Sequence, residues 1–276
     1  MEKAKDRLEV LDRIDNLEKQ GVFDVDVEND PPAIVLMPNK VDYLNKKLTN
    51  KIKTKVMNHI TYKFFEKLIK DKKLIINDAE GIENFLQVKG GAIITANHFN
   101  PFDNYVVYRP LRPYLKRKTL YKVIREGNYT SMPGFYGKVF KYCNTLPLSS
   151  NKDTMKLFLK SVAKLLKKGH KILIYPEQAM WWNYKKPRPL KDGAFKIASR
   201  NNVPIIPCFI TMEETDMIGD DGFNILAHTL HIFEPIYPKK ELTIKENVEY
   251  LKEKNFLLWK QCYEQTYGKQ LKYKTA

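Results

Sequence analysis

Between residues 46 and 70 apolar side chains recur at every fourth place, at Leu48, Ile52, Val56, Ile60, Phe64 and Leu68, with Met57, Phe65 and Ile69 thickening the stripe. That period is helical and leaves the other faces polar, so it predicts a long amphipathic helix. After Asp71 the pattern changes. Short apolar runs at 91–96 (GAIITA), 119–124 (TLYKVI), 171–175 (KILIY) and 204–211 (PIIPCFIT) are bounded by turn residues, as expected of strands covered on both faces. Helical spacing returns at 153–168 and 190–201, a further strand is expected over 226–236, and 245–267 reads as a closing helix. Alternation of this kind predicts an α/β fold, a mostly parallel mixed sheet flanked by helices with an N-terminal amphipathic helical segment before it. Residues 1–30 read as a charged helical leader stopped by the NDPP breaker at 29–32. The expected division is therefore 1–74, leader and amphipathic helix, and 75–276, the α/β domain.

Charge alters this picture in two places. The net charge of +16 is uneven, because residues 1–30 hold five basic and ten acidic side chains and the other 246 carry +21. An anionic partner is implied: nucleic acid, an anionic membrane surface or a phosphorylated substrate. Between Lys40 and Lys73 eleven lysines stand against three acids, most of them off the apolar stripe. Such a helix can lie in a membrane interface, apolar face among acyl chains and ammonium groups near headgroups, or it can pack on the domain's own core. Against nucleic acid, the chain has no zinc-finger, helix-turn-helix, RNA-binding aromatic or P-loop signature, and its positive charge is spread out.

Other classes are excluded more simply. No apolar run approaches the roughly 18–20 residues that cross a bilayer. The start MEKAKDRLEVLDRID is charged throughout and lacks the apolar segment of a secretory signal, so export is not expected. Cys143, Cys208 and Cys262 are odd in number and far apart, which fits neither a disulfide framework nor a zinc site and points to reduced packing residues.

The chemistry-bearing stretch is ANHFNPFDNY, residues 96–105. His98 follows an apolar run, where a strand leaves the sheet, and ligands gather at the carboxyl ends of strands in open α/β sheets. Asp103 lies five positions on. In a continuous helix or strand the two side chains diverge, so only a turn brings them together, and Asn100-Pro101 supplies one. A carboxylate on one ring nitrogen then fixes the tautomer and leaves the other nitrogen to take a proton. By spacing alone the signal is weak, and an aspartate capping the next helix near an unrelated histidine is the favoured reading.

NHFNPFD resembles the N-H-x-x-x-x-D block of the glycerolipid (lysophosphatidate-type) acyltransferase family, and further blocks follow in that family's order. YKVIREGNYTSMPGFYGKVFKYCNTLPL, 121–148, resembles the second block, and ILIYPEQ, 172–178, the third, usually F-P-E-G-T-R. LKDGAFKIA, 190–198, matches the helix start that follows, and VPIIPCFI, 203–210, resembles the apolar fourth block. The resemblance spans about residues 75–240. It implies a fatty acyl transfer from a thioester of coenzyme A or acyl carrier protein to the free hydroxyl of a lysolipid, without metal, cofactor or nucleophilic side chain. It assigns His98 as general base and Asp103 as its orienter, and places Asn97, Lys122, Arg125, Glu177, Lys191 and Gly193 on the substrate side. It also implies a peripheral position on the cytoplasmic face of the cell membrane and favours interfacial docking of the 46–70 helix.

The chain departs from the family at two points. After Glu177 the usual glycine, threonine and arginine are replaced by Gln178, Ala179 and Met180, and the arginine closing the second block is missing, with Ser149 in its neighbourhood. An arginine fork on a phosphate has no substitute in methionine or serine, which puts a plain lysophosphatidate acceptor in doubt. Two basic groups remain as compensation, 109–125 and Lys185, Lys186, Arg188 and Lys191. Trp181 and Trp182 stand beside the second, readable as an acceptor pocket, as interfacial anchors or as core. A lipid-binding remnant of the same fold without activity is the alternative to an enzyme.

Overall fold

The computed structural model describes residues 2–29 and 31–275; Met1, Asp30 (inside the 29–32 breaker) and Ala276 lie outside the described residues. In chain order the elements are α1 (Lys5–Lys19), α2 (Leu48–Lys70), β1 (Ile75–Ile76), α3 (Ile82–Gln87), β2 (Ala92–Thr95), α4 (Asp103–Leu115), β3 (Leu120–Ile124), α5 (Glu126–Thr130), α6 (Gly134–Tyr142), β4 (Thr145–Pro147), α7 (Lys152–Lys167), β5 (Lys171–Ile174), α8 (Gly193–Asn201), β6 (Ile205–Ile218), β7 (Asn224–Ile232) and α9 (Ile244–Tyr267). Seven strands form one sheet in the order β1-β7-β6-β2-β5-β3-β4. Every neighbouring pair is parallel except β6 with β7, so the mixed, mostly parallel sheet flanked by helices is as the alternation predicts.

The central strands are apolar on both sides because both sides are covered. Alternate residues part cleanly: Ala92, Ile94 and Leu173 pack with α4 residues Val106 and Leu111 on one face. Ile93, Ile172 and Ile174 meet Phe158 and Val162 of α7, Phe195 of α8 and Leu251 of α9 on the other. Gly91 is required at the start of β2, since a Cβ there would stand 2.2 Å from the Leu166 carbonyl oxygen of α7.

One expectation is corrected and one open reading is resolved. The strand expected to end at residue 211 runs on to Ile218, paired with β7 as a long antiparallel hairpin; its second half opens with the polar run Glu213 to Asp216 and is largely exposed. Of the three readings of Trp181 and Trp182, core is the one the structure bears out: they are buried in a cluster with Val10, Ile14 and Val27. Both helices of the expected N-terminal segment pack on the rest of the chain. The α1 helix rests on the tryptophans, and Phe65 of α2 belongs to the same cluster as Phe85 and Tyr105.

The four-residue stripe of α2 divides in two. Phe64 and Leu68 pack on the core, whereas Leu48, Ile52, Val56 and Ile60 are 71, 56, 50 and 43% exposed. Among the described residues, no helix is long and apolar enough to cross a membrane.

Candidate active site

Strand β2 delivers Asn97 and His98 to the carboxyl edge of the sheet, between β6 and β5. Asn97 is turned inward: its side chain accepts from the Ile210 amide (2.7 Å) and donates to the Ile210 carbonyl (3.0 Å), extending the β2–β6 pairing by one residue. Its placement on the substrate side is thus corrected to a structural one. Past His98 the chain turns on Asn100, whose side chain accepts from the Phe102 amide (3.0 Å), and Pro101, before α4 opens at Asp103.

The turn brings the pair together. His98 Nδ1 lies 2.6 Å from Asp103 Oδ2, and Asp103 is fully buried. Its second oxygen, Oδ1, accepts from the Tyr175 hydroxyl (2.7 Å), and the Tyr175 ring stacks on the imidazole with centroids 4.2 Å apart and planes 16° off parallel. Burial, then the neighbouring Asp103 charge, hold the Tyr175 phenol well above its ordinary pKa, so it stays a donor. Among the described residues nothing bonds His98 Nε2, and the side chain keeps 21% exposure. One nitrogen is therefore fixed by a buried carboxylate and the other is left unbonded on a partly exposed ring, the arrangement of a general base with its orienter.

Tyr175 is absent from the residues read out of the sequence, although it occupies the first position of the third block. Removing only its hydroxyl, in Tyr175→Phe, leaves the stack and frees Asp103 Oδ1. The expected result is a three- to tenfold loss in kcat with KM unchanged, from the loss of about 1 kcal/mol of orientation. Steady-state kinetics of the variant check it.

The backbone of His98 is held as firmly as its ring. Its amide donates to Glu177 Oε2 (2.9 Å), and its carbonyl accepts from the Trp181 amide (3.1 Å) and Arg188 Nη2 (3.2 Å). Glu177 Oε1 accepts from the Arg188 amide (2.8 Å), and Arg188 Nη2 reaches Glu177 Oε2 at 2.9 Å with both side chains almost wholly buried. Glu177 is thus corrected from an acceptor-gripping acid to a positioning one, because both its oxygens are taken up by the protein. Arg188 also donates to the carbonyls of Ala179 (2.5 Å) and Phe23 (2.9 Å), tying the leader to the same knot.

Of the remaining residues on the expected substrate side, Arg125 and Lys191 follow β3 and β5 at the same carboxyl edge as His98, and both are paired, Arg125 with Asp26 and Lys191 with Asp24 (2.6 Å). Gly193 opens α8 with empty space where a Cβ would stand, so packing does not demand a glycine there. Lys122 projects from β3 into a cleft, its ammonium 5.9 Å from the Tyr108 ring centre and burial lowering its pKa. That cleft encloses about 900 Å³, open solvent at its mouth included, and is mostly apolar, with Phe64, Phe65, Tyr105, Leu120, Phe135 and Val139 in its wall. His98 does not line it; Pro101 and Asn104, on either side of Asp103, do.

Known proteins resemble the chain in sequence and in fold. Residues 77–211 match the family model described as Acyltransferase. A curated relative, the chloroplastic 1-acyl-sn-glycerol-3-phosphate acyltransferase BAT2 of Brassica napus, is 29% identical over 172 residues, 59% of this chain and 46% of that protein. The chain thus spans about half the length of the curated relative it matches. Among solved structures, the 1-acyl-sn-glycerophosphate (LPA) acyltransferase PlsC from Thermotoga maritima superposes with a TM-score of 0.53 at 21% identity, covering 83% of this chain and 87% of that one. That likeness is one of fold. His98, Asp103 and Glu177 all fall within the stretch that resembles the Acyltransferase family model.

Proposed function

We propose that the protein transfers a fatty acyl group from a thioester, of coenzyme A or acyl carrier protein, to the free hydroxyl of a lysolipid-type acceptor. The observation that carries this reading is the 2.6 Å contact of His98 Nδ1 with buried Asp103, with Nε2 left unbonded on a partly exposed ring. Nε2 takes the hydroxyl proton as the oxygen attacks the thioester carbonyl. The tetrahedral intermediate collapses with loss of the thiolate, which recovers the proton from the imidazolium. Asp103 stabilises that imidazolium, and Tyr175 and the Glu177–Arg188 pair hold the two partners in register. No side chain becomes acylated in this scheme. Turnover of an acyl thioester in the presence of lysolipid, and its loss in His98→Ala, test the assignment.

The acyl chain belongs in the cleft between α2, α4 and α6, beside the residues that flank Asp103. Its wall includes Phe64 and Phe65 of the same α2 whose first half bares Leu48, Ile52, Val56 and Ile60. This continuity favours a peripheral protein that lies with α2 in an anionic membrane surface, on the cytoplasmic side, and receives its amphiphilic acceptor from there. Exposed positions are the ones to alter, since Phe64 and Leu68 support the core. Ile52→Glu with Val56→Glu is expected to cut flotation with vesicles containing anionic phospholipid at least tenfold, with the melting temperature unchanged. Equal flotation of variant and wild type would remove α2 from the membrane contact.

A further inference from the structure

Residues 23–29 and 31–36 run as a strap along the carboxyl edge of the sheet. Near β5 it is held by Arg188 Nη1 on the Phe23 carbonyl (2.9 Å) and Trp181 Nε1 on the Val25 carbonyl (2.9 Å). Its far end is fixed beyond β3 and β4, where the Leu36 amide donates to Glu126 (2.6 Å) and the Leu36 carbonyl accepts from Ser149 (2.9 Å) and Thr154 (2.7 Å). Val27, between these anchors, is fully buried. The strap is therefore a wall of the edge on which His98 sits, built in at both ends.

From this wall Asp24 reaches Lys191, whose amide donates to the Pro176 carbonyl just after β5, and Asp26 reaches Arg125, just after β3. The other cations of the neighbouring segment are matched in the same way: Lys186 with Glu18 (2.5 Å), Arg188 with Glu177 (2.9 Å) and Lys185 with Glu214 (3.4 Å). A phosphomonoester carries about −1.5 to −2 charge at neutral pH and is gripped by cations whose charge is not already spent. At this rim it would have to displace a carboxylate or lie beside one, and like charges at that range repel. What the rim offers instead is neutral: the side-chain amides of Asn100 and Asn183, 3.5 Å apart beside His98, and the exposed Gln178.

We propose that Asp24 and Asp26 set acceptor specificity, occupying the cations that a phosphate would need, so that the acceptor presents an uncharged hydroxyl-bearing headgroup, a glycerol or a sugar, to this rim. The proposal rests on the acyl-transfer reading and narrows it. The test compares two acceptors of equal chain length in mixed micelles, 1-acylglycerol and 1-acylglycerol 3-phosphate, with the full-length wild type and Asp24→Asn/Asp26→Asn. Wild type is expected to favour the uncharged acceptor at least tenfold in kcat/KM. The double variant is expected to narrow that ratio at least tenfold, through a lower KM for the phosphate. Both carboxylates are 44% exposed, and such pairs contribute little to folding, so the variant and its two single counterparts remain folded.

Calorimetry with a six-carbon 1-acylglycerol 3-phosphate below its micelle concentration reads the same rule without turnover: the double variant binds at least tenfold more tightly than wild type. Tighter binding with no thioester turnover in either protein sinks the acyl-transfer reading and leaves the charge rule standing. The rule falls if wild type prefers the phosphate acceptor, if the variant's binding and ratio are unchanged, or if phosphate use is lost in Lys122→Met alone, which would put the phosphate in the cleft.

Discussion

Replacing His98 by alanine is expected to lower kcat/KM for acyl transfer by about 10³- to 10⁴-fold, or about 4–5 kcal/mol of transition-state stabilisation, with KM for the acceptor within a few-fold of wild type. Among the described residues of this site the ring supplies a partly exposed base with one nitrogen unbonded, and His228 does not replace it, being buried against Phe99 with its pKa lowered by burial. The loss is chemical and not structural. The imidazole is partly exposed, and the loop that carries it is fixed through backbone contacts to Glu177, Trp181 and Arg188 that alanine keeps. Thermal unfolding should therefore be unchanged within a few degrees. Asp103→Asn should reach a loss of comparable order by a different route, since an amide can hold the ring with its proton on the wrong nitrogen.

Arg188→Met is expected to have the largest effect on stability, about 3–5 kcal/mol, and to lower Tm by about 10 °C. Removing the guanidinium leaves the Glu177 carboxylate buried without its counter-charge, and at the same time strips donors from the carbonyls of Phe23, Ala179 and His98. The same substitution loosens the His98 loop, so kcat should fall in the surviving folded fraction. Glu177→Gln retains the size of the side chain and one acceptor oxygen, and should cost less in both respects. Calorimetric unfolding of the two variants checks the order; equal stability of Arg188→Met and wild type would show that the buried pair does not hold the site.

The histidine–aspartate pair was legible through its likeness to a family block; the local turn at Asn100-Pro101 permits the pairing but does not by itself select it. The strands were legible because their apolar runs are covered on both faces. What escaped reading depends on partners distant in the chain. Lys191 and Arg125 look like available cations until Asp24 and Asp26 fold onto them from the leader. Arg188 looks like one more surface charge beside Lys185 and Lys186, yet it is the one that is buried, because Glu177, eleven residues earlier, turns inward to meet it. Periodicity foresaw α2 but not that its stripe passes from core to open surface after its middle, since a repeat of four carries no information about where the covering layer ends.

The most direct test follows a label from donor to acceptor. Purified protein is incubated with an acyl thioester labelled in its fatty chain and a panel of lysolipids and monoacylglycerols in vesicles, and the products are separated and weighed by mass spectrometry. The label should appear as an ester on an acceptor hydroxyl in wild type, fall at least a thousandfold in His98→Ala, and never reside on the protein. Labelled ester formed equally well by His98→Ala, or label trapped covalently on the chain, would contradict direct transfer driven by this imidazole.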